Sequence, residues 1–287
     1  MKSVYCLTLK TLLRSLKTYI YFAVTLIATG GFFTYVNLSN GYSGVEYSIE
    51  FLEIALLLTL PLISAELFTA DRQCGFEKTL LTYGITTEKL FFGKLLAAIT
   101  VFLMPQLLLL AVPPIFEIFG IVNYLSAYAT IFAFLLLGVS IMSVGAFISL
   151  TAKSTVSSYV CSFVTFVFLY LFTVFAGAVP QTRQISLLVL TAFLVAISVV
   201  IYVFTRSWIV FGGVFCITEG IMILLYFAVP KLFAGALSTF FKLISPCASL
   251  NSVIYGPYDL TALVHIILIT AVFVLLSVLQ FKRRKYE

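Results

Sequence analysis

The chain has 287 residues, of which 62% are apolar and only 10% charged, with a mean hydropathy of +1.16. A soluble domain carries about 25% charged residues, so the composition excludes one and indicates a polytopic helical membrane protein. The apolar stretches run continuously, without apolar–polar alternation, which excludes a β-barrel. The formal charge of +6 gathers at the N-terminus, around residues 69–94 and in the tail FKRRKYE. That distribution orients a membrane protein and suits an anionic lipid surface; it gives no reason to expect nucleic acid.

In chain order, VYCLTLKTLLRSLKTY spaces Val4, Leu7, Leu12 and Leu16 among cationic and hydroxyl residues. The pattern predicts an amphipathic helix lying in the membrane interface, in preference to the plainer reading of a cationic flank to the first span. The apolar run that follows has no small-residue cleavage site and is expected to be a retained span. Runs of the required ~20 residues predict spans at roughly 18–36, 51–69, 90–112, 124–151, 156–178, 185–205, 208–229 and 260–281. The sixth and seventh, joined by a short TRS turn, could instead form a re-entrant pair, so six to eight crossings are expected within a single domain, 1–287. An even number puts both termini on one side. With that side cytoplasmic, inner segments carry fourteen of the lysines and arginines, and outer segments only Arg183, Lys231 and Lys242. This asymmetry predicts cytoplasmic termini in a bacterial-type cell membrane. Cys6, Cys74, Cys161, Cys216 and Cys247 lie far apart, give no disulfide framework or metal site, and are expected to be small buried hydrophobes.

One stretch departs from this apolar background. TADRQCGFEKTLLTYGITTEKLFFGK (69–94) contains Asp71, Arg72, Glu77, Lys78, Glu88, Lys89 and Lys94. Phe76, Leu80 and Tyr83 fall at i, i+4 and i+7 on one side of a helix. Gly84 is placed to end that helix, and Thr86 or Thr87 to cap the next, with Glu88 in its first turn. A short helix between two spans, with an apolar stripe, needs a partner to be stable.

The stretch resembles the coupling region of ABC-2 type permeases, the membrane subunits of ATP-driven exporters. The matching positions are Asp71, Arg72, Gly75, Leu80, Leu81, Gly93 and Lys94, followed by LLAA. GAFISLTAKSTVSSYV (145–160) is similar to the family's turn after the fourth span, and ISPCASLNSVIYG (244–256) to its Ser-Pro segment before the last one. Ala70, Phe76 and Gly84 depart from the family's usual acidic residue, Thr and Pro, and Glu77 lies near its helix glutamate. The resemblance implies that Asp71, Arg72, Gly75, Phe76, Glu77, Leu80 and Tyr83 form a helix that docks on an ABC ATPase subunit. It also implies a second permease chain, identical or different.

The chain has no G-x-x-x-x-G-K-[ST] run, so no phosphate-cradling loop. ATP and magnesium would belong to the partner subunit, and no cofactor, metal site or catalytic residue is expected here. The lone His265 reads as a hydrogen-bonded packing residue, and one histidine with scattered serines assembles no nucleophilic site. Glu219, at the centre of a predicted span, must face protein or a wet cavity. Cargo contact and a helix-packing bond beside Gly220 both fit. Glu66 reads as interfacial, while Glu46, Glu50 and Glu53, at i, i+4 and i+7, read as a solvated outer face or as a lure for cationic cargo. The 29 Phe residues suit packing and amphipathic or hydrophobic cargo: peptide, drug or lipid-like. The expected function is the permease subunit of an ABC exporter, and the alternative is an ion-coupled transporter or channel using Glu219 and His265.

Overall fold

The computed structural model describes residues 2–41, 44–82, 85–118, 122–178, 236–256 and 260–284, with 187, 191, 194, 195 and 220 as isolated positions. Among them all regular structure is helical. Six helices are long and apolar enough to cross a membrane: Leu16–Leu38, Glu46–Gln73, Thr87–Glu117, Tyr124–Thr151, Thr155–Ala178 and Leu260–Arg283. The protein is an all-α, multi-pass helical bundle. These six correspond to predicted spans; the other two, 185–205 and 208–229, lie outside the described residues, and Glu219 with them.

The described helices, numbered in chain order, are α1 (Lys2–Leu13), α2 (Leu16–Phe32), α3 (Glu46–Thr59), α4 (Pro61–Ser64), α5 (Thr69–Gln73), α6 (Phe76–Thr82), α7 (Thr87–Gln106), α8 (Val112–Glu117), α9 (Tyr124–Thr151), α10 (Thr155–Ala178), α11 (Ala236–Ile244), α12 (Pro246–Tyr255) and α13 (Leu260–Arg284). They fall into two compact units, Met1–Tyr170 with Pro246–Glu287, and Leu171–Ser245. In the second unit Phe172 stacks on Phe241 with ring centroids 5.6 Å apart, and the Thr173 and Ser245 hydroxyls are 2.8 Å apart.

The first unit is built around α9, which packs against α3, α7, α12 and α13. In lipid, helices associate by close packing, so small residues mark where backbones approach. At Gly145 an added Cβ would stand 2.3 Å from the Ser64 Oγ, and at Gly138 it would stand 2.0 Å from the Phe102 ring. Both positions require glycine because a helix from an earlier span presses against them.

Two expected spans are interrupted. Pro61 cannot donate to the helix ladder and opens α4 at the first position, where its missing N–H is tolerated. Span two then continues through α4, a turn and α5. Pro105 lies near the end of α7, and after it the chain tightens into a 3₁₀ segment, Leu107–Ala111. Tyr21, fully buried on α2, donates to the Phe102 carbonyl beside this break at 3.0 Å. After α2 the chain widens into a π-helical turn, Phe33–Leu38. This turn carries Asn37, which donates to the Gly44 carbonyl at 2.6 Å and accepts from the Ser48 hydroxyl.

The N-terminal helix forms as expected, but its stripe divides. Val4 is buried and Leu12 packs on the core, while Leu7 and Leu16 are 47% and 74% exposed. Leu9 and Leu13 pack inward instead, because α1 runs along α7, where the Tyr5 hydroxyl meets Thr100 Oγ1 at 3.1 Å. The expectation that the cysteines are buried holds for Cys247 alone among those described. Cys6, Cys74 and Cys161 are exposed and unbridged, and Cys216 lies outside the described residues. A lipid-facing surface accepts a thiol as readily as a core does, so apolarity does not imply burial.

Gly145→Ala should lower the unfolding midpoint of the detergent-solubilised protein, since overpacking costs about 1–3 kcal/mol. Gly30→Ala, where nothing lies within 4 Å of the new Cβ, should leave it unchanged or raise it.

Candidate functional site

The polar stretch folds as two short helices. Gly75 has φ +72°, a left-handed conformation that glycine adopts freely, and it separates α5 from α6. Thr86 caps α7: its backbone is extended and its hydroxyl accepts from the Lys89 N–H at 3.4 Å, with Glu88 in the first turn. The expected helix-ending Gly84 and the third stripe residue, Tyr83, lie outside the described residues.

Beneath these helices lies a buried charge. Lys94, two turns into α7, is 2% exposed. Its ammonium stands 2.5 Å from an Asp71 carboxylate oxygen, donates to the Leu67 carbonyl at 3.0 Å and lies 5.0 Å above the Phe68 ring. Phe68 in turn stacks on Phe91, 5.6 Å away, and meets Phe281 of the last span edge-on. A charge at this depth is tolerated only when paired and hydrogen-bonded, and Asp71 and Leu67 meet both needs.

Arg72 makes the second tie. Its guanidinium donates to the carbonyls of Ala152 at 2.6 Å and Leu150 at 2.9 Å, and its Nε lies 3.7 Å from Glu77. The last carbonyls of a helix have no partner within it, and a cation there also complements the helix dipole. Ser149 completes the junction: its hydroxyl donates to the Ala65 carbonyl at 2.9 Å and accepts from the Phe68 and Thr69 amides at 3.0 and 3.3 Å. The stretch 145–160 therefore meets the stretch 69–94 in space.

The site residues divide accordingly. Asp71, Arg72 and Glu77 face inward as ties; Leu80 is half-buried against the core, and Phe76 is 39% exposed, with Thr79 and Thr82 exposed beside it. Sequence reasoning placed Lys94 in a motif but missed its burial, which a lysine inside an apolar run should have signalled. Ser149 lies in the stretch 145–160 that the family resemblance singled out, but its contacts with span two could not be read from it.

Other polar groups are placed as follows. Glu66, expected at the interface, pairs with Lys17 at the start of the first span. His265 Nδ1 lies 2.6 Å from the Ser249 hydroxyl on α12, as a hydrogen-bonded packing residue would. Of the three span-two glutamates expected on a solvated outer face, Glu46 and Glu50 are half-buried and only Glu53 is fully covered. Glu46 accepts from Ser126 at 2.6 Å, Glu50 accepts from the Tyr255 hydroxyl, and Glu53 is 0% exposed beside Cys247. Here α12 packs over α3 and covers the face that periodicity alone left open. No group of three or more metal-ligating side chains occurs among the described residues.

No protein-family model matches the chain, and no curated protein matches it.

Removing the Asp71 charge strands a buried ammonium. Asp71→Asn should therefore destabilise the solubilised protein by about 3–5 kcal/mol. Adding Lys94→Met to Asp71→Asn should recover most of that loss, and unfolding of the two single variants and the double variant checks the coupling.

Proposed function

We propose that this chain is the permease subunit of an ATP-driven exporter of the ABC-2 type, with α6 as the element that an ATPase subunit grips. The observation that carries the reading is a short exposed helix on a rigid mount. Arg72, the Asp71–Lys94 pair and Ser149 fasten it to three spans, while Phe76 stays 39% exposed at its surface. Force applied to such a helix moves the spans instead of bending a loop. The charged residues act in the mount, and Phe76, Thr79 and Thr82 meet the partner. The chain has no phosphate-cradling loop, in keeping with hydrolysis on a separate subunit.

In this reading α6 and both termini are cytoplasmic and the membrane is the cell membrane, in line with the lysine and arginine asymmetry. Two permease chains and two ATPase subunits make the working unit. Amphipathic or hydrophobic cargo passes between the permeases when ATP closes the nucleotide-binding pair.

Two measurements test the proposal. In a chain lacking its five cysteines, Ser39→Cys should react with an impermeant maleimide on intact cells and Thr79→Cys should not; the reverse labelling would overturn the orientation. Burial of a phenylalanine contributes roughly 1.5–3 kcal/mol, so Phe76→Asp should cut co-purification of an ABC ATPase subunit co-expressed with this chain about tenfold or more. Equal recovery with wild type and Phe76→Asp, with both variants folded, would remove α6 as the coupling element.

A further inference from the structure

Between α1 and the helices α5 and α6 the first unit encloses a cavity of about 610 Å³, within the roughly 300–1,000 Å³ of small-molecule sites. Its walls are mostly apolar, with Leu7 and Leu12 from α1 facing Phe76 and Leu80 from α6. It is open to the surface, since Leu7 and Phe76 are both exposed. Two carboxylates, Glu66 and Asp71, also line it, but each is matched by a lysine of the protein, Lys17 and Lys94. The cavity therefore presents no unmatched negative charge.

Its rim is positive. α1 carries no acidic residue, and Lys10 and Arg14 are exposed. They follow Leu7 and Thr11, which line the cavity, by three residues each, so they form the next row along the helix surface. The ion pairs of Lys17, Arg72, Lys94 and Lys282 leave out Lys10 and Arg14, so these two remain available. The depth is also defined. Ser15, immediately before the first span, and Glu66, in the last turns of the second, both line the cavity. This is the level at which spans enter lipid headgroups. Leu16, 74% exposed, continues the apolar surface from there into the membrane.

We propose that the cavity is a site for an anionic phospholipid of the leaflet on the N-terminal side, with an acyl chain between α1 and α6 and the phosphate against Lys10 and Arg14. An apolar slot at headgroup depth with a cationic rim complements such a lipid in both halves. A zwitterionic lipid would gain the slot but not the rim. The site does not require an ATPase, although one gripping α6 would share Phe76 and Thr79 with it.

The test is native mass spectrometry of the full chain, purified with phosphatidylglycerol or phosphatidylcholine as the only added lipid. Wild type should retain phosphatidylglycerol about tenfold or more over phosphatidylcholine, given two cations near the surface. Lys10→Gln with Arg14→Gln should abolish that preference. Thr79→Trp and Thr11→Trp, which fill the cavity from opposite walls at exposed positions, should each remove the retained lipid while the chain stays folded by thermal unfolding. Equal retention of the two lipids by wild type would overturn the proposal, as would undiminished phosphatidylglycerol in both tryptophan variants. Loss of a co-purifying protein from the tryptophan variants, with lipid retention unchanged, would assign the cavity to a protein partner and also overturn it.

Discussion

A lysine ammonium two turns inside an apolar helix has few solutions, and the arrangement around Lys94 is one of them. Its counter-charge, Asp71, and its carbonyl acceptor, Leu67, both come from the end of span two. They reach it because that span does not continue as one straight helix. Pro61 restarts the chain, Ser149 on α9 takes up the amides and the carbonyl that the break releases, and the chain re-forms as α5 with Asp71 turned toward α7. Charge pairing and backbone satisfaction thus require the same irregularity. Outside water neither could be left undone.

The rest of the junction follows from it. Once α5 is held on Lys94, Arg72 lies within reach of the end of α9, and Gly75 turns the chain so that α6 emerges with Phe76 exposed. Three spans then meet at one polar cluster. The proposed coupling role uses that cluster as a fixed mount, and the proposed lipid site uses the gap left between α6 and α1. The two readings share Phe76 and Thr79 on the same short helix.

Much of this was legible in the sequence. Six spans follow from the length of apolar runs, because once the lack of alternation excludes a barrel only a helix satisfies a backbone in lipid. The Thr86 cap and the short helix before it follow from local hydrogen-bonding rules. What could not be read is which faces meet. The tie from Arg72 to Leu150 and Ala152 joins distant parts of the chain, and no local pattern encodes it. Glu53 has the spacing of a solvated row, yet α12 covers it. Leu7, Leu16 and the exposed cysteines mislead for another reason. Lipid accepts the same residue types as a protein core, so hydropathy cannot separate the inside of a membrane protein from its outer wall.

The π-helical turn Phe33–Leu38 has a bearing on how this chain tolerates change over generations. A π turn accommodates one residue more than the α-helix around it. Losing any one of its six residues would let the helix close into regular α geometry with its ladder intact. The loss would leave the facing of everything beyond it nearly unchanged, because six residues at π pitch turn the chain about as far as five at α pitch. Asn37, if it is not the residue lost, would still reach Gly44 and Ser48, and the connection into span two would keep its anchor. The backbone and the anchor both accept a deletion there. Descendants of this chain should therefore conserve Asn37 more strictly than the length of this segment.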